Sequence, residues 1–295
     1  MSNVNVVNDD CLDYLRENTV SDIDLTFLDP PFNQGKDYPS HDDSMEEDAY
    51  WAWMRDVSAE IYDATAEGGA VYFMQREKNA DDVLRILRDT GWTFQNLIIW
   101  EKTTSAVPSK YRFGKKYQII AFCTKGDKPA TFNRLRHDPP TPENYDRERE
   151  NGIYLTDVWK NVRELTSGYF AGNEPLRDEN GDRVHKQQAP IELLTRIVLS
   201  STLPGDKVFD PFAGTGTTGV VCDQLDRDVV LVEKDSSYHR LIQERIEEER
   251  PADDVSELYD DYQYTENLDE IWGGKVESGT DNSSGQEDIT SFAED

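Results

Sequence analysis

An apolar run that ends in two prolines and an aromatic residue is the first place where the residue types could do chemistry. Leu25–Leu28 is followed directly by Asp29-Pro30-Pro31-Phe32. The prolines restrict the backbone and remove two donors, so the Asp29 carboxylate and the Pro30 carbonyl form a rigid ledge that only accepts hydrogen bonds. Such a ledge can bind both hydrogens of an NH2 group on a flat heterocycle while the Phe32 ring stacks on its face. The predicted chemistry is group transfer to an exocyclic amine, with these four residues as candidate catalytic residues. A plain strand end is the alternative.

A glycine-rich turn between a second apolar run and a helical pattern could hold a cofactor. Gly214, Gly216 and Gly219 have the spacing of a nucleotide-binding fingerprint. Glu233 ends the next apolar run, 19 positions after Gly214, where a carboxylate can accept hydrogen bonds from both ribose hydroxyls of an adenosine. Only one strand–helix–strand passage follows the turn, so a nucleoside cofactor without a pyrophosphate fits better than NAD. A purely structural turn is the remaining alternative.

Short apolar, β-rich runs alternate with helical patterns along most of the chain. The predicted strands are Val4–Val7, Leu25–Leu28, Ala70–Met74, Leu97–Trp100, Gln118–Cys123, Val208–Asp210 and Val229–Glu233. The predicted helices are Asp10–Glu17, Asp48–Ala66, Asn79–Thr90, Pro190–Ser201, Thr218–Leu225 and Ser237–Arg250. This alternation predicts an α/β fold with a doubly wound, mainly parallel sheet. Ligands bind such sheets at the carboxyl ends of the strands, so both groups of candidate residues should meet across one crevice.

Acidic residues outnumber basic residues by 60 to 31, which gives a formal net charge of −29. Such a charge repels nucleic acid at low salt, whereas salt at 1 M screens charges beyond about 3 Å. The acids are spread through every segment, and arginine outnumbers lysine by 18 to 13. This pattern favours a halophilic source over an acidic interaction protein, and a halophilic source is our hypothesis.

The composition also bears on the cellular compartment. No apolar run approaches the roughly 18 residues that a membrane span needs, and the amino terminus does not resemble a signal peptide. We therefore expect a cytoplasmic protein with no membrane partner. Cys11, Cys123 and Cys222 lack paired ligand spacing, so neither a metal site nor a disulfide framework is expected, and the thiols should be buried.

One segment reverses the charge of the rest of the chain. Nine basic residues and one acid lie between Lys102 and Arg136, giving this window a charge of +8 and leaving −37 for everything else. Tyr111, Phe113 and Tyr117 lie among the cations. A solvated loop is the simple alternative, but a basic segment in so acidic a chain predicts contact with DNA. The candidate DNA-binding residues are Lys110, Arg112, Lys115, Lys116, Arg134 and Arg136.

The regular alternation stops in two places. Residues from Gly126 to Val184 are rich in proline, asparagine, glycine and charge without a clear period, and we interpret them as an insertion carried on the core. After Pro251 the chain is acidic and poor in apolar residues, which predicts a flexible or loosely docked tail.

Together these residues resemble the amino-group DNA methyltransferases, specifically the permuted β class, in which the catalytic half precedes the cofactor-binding half. Asp29-Pro30-Pro31-Phe32 resembles the catalytic motif, and Asp210-Pro-Phe-Ala-Gly-Thr-Gly-Thr-Thr resembles the glycine loop. Asn8-Asp9-Asp10-Cys11 is similar to a turn whose aspartate contacts the cofactor adenine. Residues 185–190, which begin with His185, are similar to a segment that packs on the methionine end of the cofactor, although Lys186 and Ala189 depart from its pattern.

The resemblance implies the Rossmann-like fold of S-adenosylmethionine-dependent methyltransferases, a mostly parallel seven-stranded sheet with an inserted recognition region. It assigns residues 1–124 to the catalytic half, 125–184 to the inserted target-recognition region, 185–250 to the cofactor-binding half and 251–295 to the acidic flexible tail. The implied cofactor is S-adenosyl-L-methionine. The implied cofactor-binding residues are Asp10, Asp210, Phe212, Ala213, Gly214, Thr215, Gly216, Thr217, Thr218 and Glu233.

The same resemblance implies methyl transfer to the exocyclic amino group of a base flipped out of double-stranded DNA. Motifs that begin with Asp resemble the adenine group, so adenine N6 is favoured and cytosine N4 is the alternative. A carbon-5 cytosine enzyme would need a Pro-Cys pair, which the sequence lacks. An NAD-dependent oxidoreductase, a non-catalytic DNA-binding protein and a methyltransferase for RNA or protein glutamine remain further alternatives. The expected partners are duplex DNA and a cognate restriction endonuclease, with the chain acting as a monomer or homodimer.

Overall fold

The computed structural model describes residues 2–18, 20–34, 44–103, 108, 110–139, 150–165, 172–185, 187–248 and 250–274. Parts of the predicted insertion (140–149 and 166–171), Lys186 and residues 275–295 of the predicted tail lie outside these ranges.

The described residues form ten strands and seven α-helices. The strands are β1 (Val4–Val7), β2 (Ile23–Leu28), β3 (Thr65–Arg76), β4 (Thr93–Glu101), β5 (Tyr117–Thr124), β6 (Arg136–His137), β7 (Ile153–Tyr154), β8 (Val158–Trp159), β9 (Lys207–Asp210) and β10 (Asp228–Val232). The helices are α1 (Cys11–Glu17), α2 (Glu47–Ala64), α3 (Ala80–Asp89), α4 (Ile191–Ser201), α5 (Thr217–Gln224), α6 (Ser236–Glu247) and α7 (Leu268–Trp272). All seven predicted strands and six predicted helices are found, with differences at their ends.

Eight of the strands form one sheet in the order β1-β10-β9-β2-β3-β5-β4-β8. The first five strands in this order are parallel, and β5 is antiparallel to both of its neighbours. The two-residue β8 extends the edge next to β4. The fold is therefore the predicted mostly parallel α/β sheet of seven strands, with one short strand added.

The direction in which successive strands are added to the sheet reverses at the β9–β2 pair. From β9 the chain passes through α5 to β10 on one side, whereas from β2 it passes through α2 to β3 on the other side. The two strands pair in parallel, with Leu25 beside Val208 and Thr26 beside Phe209. Such a reversal leaves a crevice between the loops at the carboxyl ends of the two strands, which is where open α/β sheets bind ligands.

Helices cover both faces of the sheet and produce two apolar cores. On one face, α1, α2 and α3 bury residues at helical spacing, such as Tyr50, Met54, Val57 and Ile61 of α2. On the other face, α4, α5, α6 and α7 pack around a larger core. Almost every residue of α4 is buried, because the chain after α6 covers the side of α4 that faces away from the sheet.

Two glycine positions lie near the carboxyl ends of helices and have different roles. Gly91 follows Thr90, the last residue of the α3 cap, and has φ of +101°, as a residue that ends a helix in the left-handed region does. The Gly68-Gly69 pair instead lies inside β3, because α2 already ends at Ala64. A Cβ on Gly69 would lie 2.7 Å from the carbonyl oxygen of Ile23, so glycine allows β3 to approach β2 here.

The predicted insertion is anchored in the core at several points. Its described residues form the short strands β6, β7 and β8, and β6 pairs with β7 as a separate two-stranded unit. Leu135, Trp159, Val162 and Leu176 are nevertheless buried. Isolated apolar residues, most of them outside the short strands, therefore anchor this segment, and its average composition does not reveal them.

Residues 251–274 differ from the predicted flexible tail. They form three 3₁₀ turns and α7, and they bury Val255, Tyr262, Leu268, Ile271 and Trp272 against α4 and α5. The buried guanidinium of Arg227 donates to the carbonyls of Ile271 at 2.5 Å and Trp272 at 2.9 Å. The prediction was wrong for this stretch because the acidic residues lower its average hydropathy while a few well-spaced apolar residues carry the packing.

Two further expectations can be compared with the described residues. Cys11, Cys123 and Cys222 are buried free thiols, as predicted. Within the described ranges, no helix combines the length and the apolar character that crossing a membrane requires.

Because Trp272 is 2% exposed, replacing it should test how firmly the final segment is docked. We expect Trp272→Ala to lower the free energy of unfolding by about 3–5 kcal/mol, the usual effect of removing a buried tryptophan side chain. Glu270→Ala, an exposed change in the same helix, is the control and should alter stability by less than about 0.5 kcal/mol. Denaturant unfolding at constant salt measures both. Equal stabilities of the two variants would contradict a docked segment.

Candidate functional site

One crevice opens at the carboxyl ends of the neighbouring strands β1, β10, β9 and β2. Residues that follow each of these strands form its walls, together with side chains from α2 and α6. The lining residues are Asp9, Asp10, Cys11, Pro31, Trp53, His185, Pro211, Phe212, Gly214, Val232, Glu233, Lys234 and Tyr238. Pro31 of the proline motif and Gly214 of the glycine turn therefore face the same space, as the topology at the β9–β2 pair requires.

The glycine turn is built around the buried carboxylate of Asp210. This carboxylate accepts the N–H of Phe212 at 3.0 Å and the hydroxyl of Thr218 at 2.5 Å. Burial raises the pKa of Asp210 to about 6, against the opposing effect of these two hydrogen bonds. Asp210 thus joins the end of β9 to the first turn of α5 and shapes the turn from behind.

Two glycines give the turn its left-handed conformation. Gly214 and Gly216 have φ of +55° and +78°. A Cβ on Gly216 would lie 2.8 Å from Cγ2 of Ile242, so only glycine lets α6 pack this closely against the turn. The sequence predicted a tight turn here, and the structure adds α6 as the element that presses on it.

Glu233 follows directly after β10 and supports the turn from the side. Its two carboxylate oxygens accept the N–H of Gly214 and the N–H of Asp235, each at 2.8 Å. Burial raises the pKa of Glu233 to about 7, although the two N–H groups act to lower it. A carboxylate has about four acceptor sites, so two remain for the ribose hydroxyls that the sequence analysis assigned to it.

Asp10 caps a helix and lines the crevice at the same time. One oxygen accepts the N–H of Leu12 at 3.0 Å, and the other accepts the ammonium of Lys234 at 3.1 Å. Partial burial acts to raise the pKa of Asp10, but Lys234 and the Leu12 N–H hold it below its ordinary value. One carboxylate can therefore both cap α1 and face the crevice.

His185 reaches the crevice from the segment that precedes α4. Its ring lies edge-on to Tyr238 of α6, with 5.3 Å between ring centroids. The Tyr238 hydroxyl donates to the carbonyl of Val184 at 3.0 Å, which ties this segment to α6. The neighbouring Lys186 lies outside the described residues.

The proline motif is held in place by hydrogen bonds from α2 and β3. Tyr50 donates its hydroxyl to the carbonyl of Pro31 at 2.8 Å, and Gln75 donates to the Tyr50 oxygen at 3.1 Å. Asp29 is half-buried, whereas Phe32 is 4% exposed and belongs to the larger core. The predicted stacking face of Phe32 is thus not open to solvent, because packing in the core removes the apolar ring from water.

Lys102 contributes a positive charge near the Asp29 carboxylate. Its ammonium lies 3.0 Å from the centroid of the Trp100 ring. Burial lowers the pKa of Lys102 to about 7, and the negative charges of Glu164 and Asp29 act in the opposite direction. Although Lys102 opens the basic segment of the sequence, it is half-buried beside Trp100 and near the proline motif.

The residues predicted to bind the cofactor divide into two groups. Asp10, Phe212, Gly214 and Glu233 line the crevice. The others lie behind the lining and shape the turn; they are Asp210, Ala213, Thr215, Gly216, Thr217 and Thr218. A sequence motif cannot separate these groups, because both are needed to form the same turn.

Several crevice residues were not found from the sequence. Trp53 is half-buried and lines the crevice, with its ring edge-on to Phe212 and 5.6 Å between ring centroids. Lys234 follows directly after Glu233, and this adjacency could have revealed it. Tyr238 and Tyr50 carry no such sequence signal, because α6 and α2 bring them to the site only in the folded chain.

The six predicted DNA-binding residues lie on two separate surfaces. One group is on the β4–β5 connection, which leaves the sheet at the same end of the strands as the crevice; it comprises Lys110, Arg112, Lys115 and Lys116. On this connection Phe113 is 98% exposed and Tyr111 85% exposed. Lys115 and Lys116 form ion pairs with Glu77 at 2.6 Å and Glu101 at 2.8 Å, which partly offset their charge.

Arg134 and Arg136 lie near the opposite edge of the sheet. The preceding Asn133 bonds to carbonyls at the carboxyl end of α4, which leads into the start of β9. Both guanidinium groups stack on the Tyr154 ring, at 4.0 and 4.3 Å from its centroid. Proximity along the sequence therefore grouped residues that the fold separates.

Comparison with known proteins bears directly on this site. A profile described as DNA methylase matches residues 23–244, which include both motifs and the connection between them. The chain belongs to this family of N6/N4 DNA methylases.

Relatives of known activity extend the family assignment. The chain is 30% identical to the DNA adenine methyltransferase YhdJ of Escherichia coli (strain K12). The alignment spans 255 residues and covers 80% of each protein. It is 27% identical over 273 residues to the type II methyltransferase M.HinfI of Haemophilus influenzae, covering 86% of this chain and 71% of that protein.

Solved structures of low sequence identity share the fold of this DNA methylase. The M1.HpyAVI–SAM complex aligns with a TM-score of 0.56 at 16% identity, covering 82% of this chain and 98% of that one. The cytosine-N4-specific PvuII DNA methyltransferase aligns with a TM-score of 0.57 at 17% identity, covering 93% and 94% of the two chains.

Proposed function

We propose that this DNA methylase transfers a methyl group from S-adenosyl-L-methionine to the N6 amino group of adenine in double-stranded DNA. The observation that carries the proposal is the crevice shared by Pro31, Gly214 and Glu233, because it puts an amine-binding motif next to a nucleoside-binding turn. A metal or a protein nucleophile is not part of this scheme, since the amine nitrogen would itself attack the methyl carbon. The bond between this carbon and the sulfonium sulfur would break, the sulfur would leave as a thioether, and the methylated nitrogen would lose a proton.

The crevice residues fit this cofactor. Glu233 offers a half-buried carboxylate for two ribose hydroxyls, and the rings of Trp53 and Phe212 supply flat apolar surface for an adenine. When bound, S-adenosylmethionine would supply an electrophilic methyl group, because its sulfonium sulfur can leave as a neutral thioether. Asp10 and His185 line the same space, in line with the roles that the family resemblance assigns to them.

The proline motif binds and orients the target amine. The Asp29 carboxylate and the Pro30 carbonyl accept the two amino hydrogens, which directs the nitrogen lone pair toward the cofactor side of the crevice. As positive charge develops on the nitrogen, the negative charge of Asp29 stabilises it. Tyr50 and Gln75 hold the ledge in place, and Lys102 in its charged form adds a positive charge near the Asp29 carboxylate.

Cytosine N4 is the second candidate for the target atom. The favoured adenine reading is supported by the name of the YhdJ relative, a DNA adenine methyltransferase. The alternative is supported by the cytosine-N4-specific PvuII enzyme among the structural neighbours. Both bases present an NH2 group beside a ring nitrogen, so the ledge alone does not choose between them. Sequencing of modified DNA from an expressing host identifies both the base and the target sequence.

Removing the Asp29 carboxylate should separate catalysis from cofactor binding. We expect Asp29→Ala to lower kcat about 10²–10³-fold or more, because the positive charge that develops on the amine nitrogen loses its main stabilising partner. Affinity for S-adenosylmethionine should stay close to that of the wild type. Radiolabel transfer to duplex DNA and calorimetric binding of the cofactor measure the two quantities. Undiminished turnover of the variant would refute the catalytic assignment.

The raised pKa of Glu233 predicts how cofactor binding depends on pH. Below a pKa of about 7 the side chain is protonated, and above it the carboxylate can accept both ribose hydroxyls. Affinity for S-adenosylmethionine should therefore rise as the pH rises from about 6 to about 8. Glu233→Gln should bind weakly and lose this dependence.

A second variant separates the contribution of Glu233 to the pH dependence of cofactor affinity from that of the His185 imidazole. Imidazole groups also titrate in this pH range. His185→Gln should therefore keep the rise in affinity if Glu233 causes it. A wild-type dissociation constant that is flat across the range would overturn the assignment of Glu233.

We further propose that the β4–β5 connection contacts the DNA and that the predicted insertion, residues 125–184, contributes to target recognition. The connection carries Lys110 and Arg112 and leaves the sheet at the edge where the crevice opens. The Arg134–Arg136 pair is not part of this proposed surface, because it stacks on Tyr154 near the opposite edge. Two type II methyltransferases among the relatives, M.HinfI and M.HpaI, support the expectation of a companion restriction endonuclease.

The proposed DNA surface belongs to a chain of net charge −29, and we propose that it works in multimolar salt. Salt at about 1 M shortens the range of charge repulsion to about 3 Å while direct contacts persist. Over a series from about 0.1 to about 3 M KCl, wild-type methylation should be fastest in the molar range. In a plot of the logarithm of DNA affinity against the logarithm of salt concentration, the Lys110→Gln/Arg112→Gln variant should have a slope smaller in magnitude by about 2.

Variants of the second arginine pair provide the matched control for this series. Arg134→Gln/Arg136→Gln removes the same charge from the opposite edge and should leave the slope unchanged. Equal slopes for both double variants would count against the proposed surface. Activity that is highest in dilute buffer would count against adaptation to salt.

A further inference from the structure

A buried arginine connects the glycine turn to the segment that follows α6. Arg245 lies on α6, and its side chain is 1% exposed. Its Nη1 donates to the carbonyl of Thr215 at 2.8 Å and to the hydroxyl of Thr217 at 3.1 Å. The Thr215 carbonyl belongs to the peptide between Thr215 and Gly216, in the middle of the turn.

This hydrogen bond acts at a point where the backbone has little preference of its own. Gly214 and Gly216 flank Thr215, and glycine adopts positive and negative φ with similar ease. The orientation of the Thr215–Gly216 peptide therefore depends on groups outside the turn. Glu233 fixes the N–H of Gly214 on one side, and Arg245 fixes the carbonyl of Thr215 on the other.

Asp253 holds the guanidinium of Arg245 in this position. Its two carboxylate oxygens accept Nε and Nη2 of Arg245, each at 2.8 Å, in a bidentate pair. The Asp253 side chain is 4% exposed, so the pair is shielded from water. A buried arginine without its anion is strongly unfavourable. The placement of Arg245 on the turn thus depends on a residue of the segment first interpreted as a loose tail.

The same carboxylate reaches the other wall of the crevice through a second arginine. Arg250 donates to Asp253 at 2.9 Å and to the carbonyls of Asn173 at 3.2 Å and Glu174 at 3.3 Å. Glu174 in turn accepts the N–H of Ile191 at 2.6 Å, at the start of α4. The chain between these two contacts, residues 174–191, carries the histidine that lines the crevice.

The carbonyl of Asp253 adds a third connection, to the end of α5. Gln224 donates to this carbonyl at 2.7 Å and accepts the N–H of Val255 at 2.9 Å. The helix that begins at the glycine turn is therefore fixed at its far end by the same short segment. Asp253 lies between the turn, its helix and the histidine-bearing segment.

We propose that Asp253 is a positioning residue for cofactor binding, which holds the glycine turn through Arg245 and the His185 segment through Arg250 in one arrangement. The proposal rests on the proposed binding of S-adenosylmethionine in the crevice. Asp253 lies outside residues 23–244, the part of the chain that the family profile matches.

The test compares Asp253→Asn with Asp254→Asn in the full-length chain. Asp253→Asn keeps the size of the side chain but removes the charge that holds both arginines. It should weaken binding of S-adenosylmethionine about tenfold and raise the KM for the cofactor similarly, while kcat at saturating cofactor changes less than about twofold. Asp254→Asn, whose exposed side chain only accepts the N–H of Ser256, should bind as the wild type does. Equal affinities of Asp253→Asn and the wild type would overturn the proposal.

A double variant separates positioning from mere stability and covers the case in which Asp253→Asn does not fold. Replacing a buried ion pair by apolar residues of similar size often preserves stability. Arg245→Met/Asp253→Leu should therefore unfold close to the wild type, yet keep the weakened cofactor binding, because no donor reaches Thr215. Recovery of wild-type affinity in this variant would show that the pair only stabilises the fold. Failure of the wild type itself to bind S-adenosylmethionine would refute the proposed function instead.

Discussion

The parallel pairing of β2 with β9 is the constraint on which the rest of the site depends. These strands lie more than 180 positions apart in the sequence. At their amino ends the Asp24 carboxylate accepts a hydrogen bond from the N–H of Lys207, 183 residues away. Only two residue pairs define the register. A shift of one residue would turn every side chain of the strand to the other face, so the two apolar cores determine the register. Once it is set, the proline motif and the glycine turn emerge side by side.

Buried charge then gives the crevice its fixed shape. Three acidic side chains with low exposure hold the turn. Asp210 accepts a backbone N–H and a hydroxyl of the turn, and Glu233 accepts another backbone N–H. Asp253 accepts hydrogen bonds from Arg245, which itself bonds to the turn. Carboxylates removed from water in this way need donors, and the turn and α6 supply them. Because each donor is fixed in direction, the glycine backbone is held in one conformation before any ligand arrives.

The arginines of this acidic chain are used inside the protein as well as on its surface. Arg227 is fully buried and ties the final segment to the core through the carbonyls of Ile271 and Trp272. Arg245 is nearly as buried and holds the turn. Burial lowers the pKa of Arg227 to about 10, which still leaves it charged at neutral pH. A planar group with five donors suits such positions, because one side chain can satisfy several backbone carbonyls.

The sequence by itself determined the class of fold, the alternation of strands and helices, and the two motifs that meet in the crevice, because apolar periodicity and glycine–proline spacing are local properties. It did not separate Asp10 and Glu233, which line the crevice, from Asp210 and Thr218, which shape the turn behind it, since both groups serve one motif. Only the tertiary structure brought Lys102 out of the basic segment to a half-buried position near Asp29, and Asp253 to Arg245. The first placement depends on segments far apart in the chain and the second on how the chain turns back after α6. Composition averaged over a segment cannot show which few of its residues are buried.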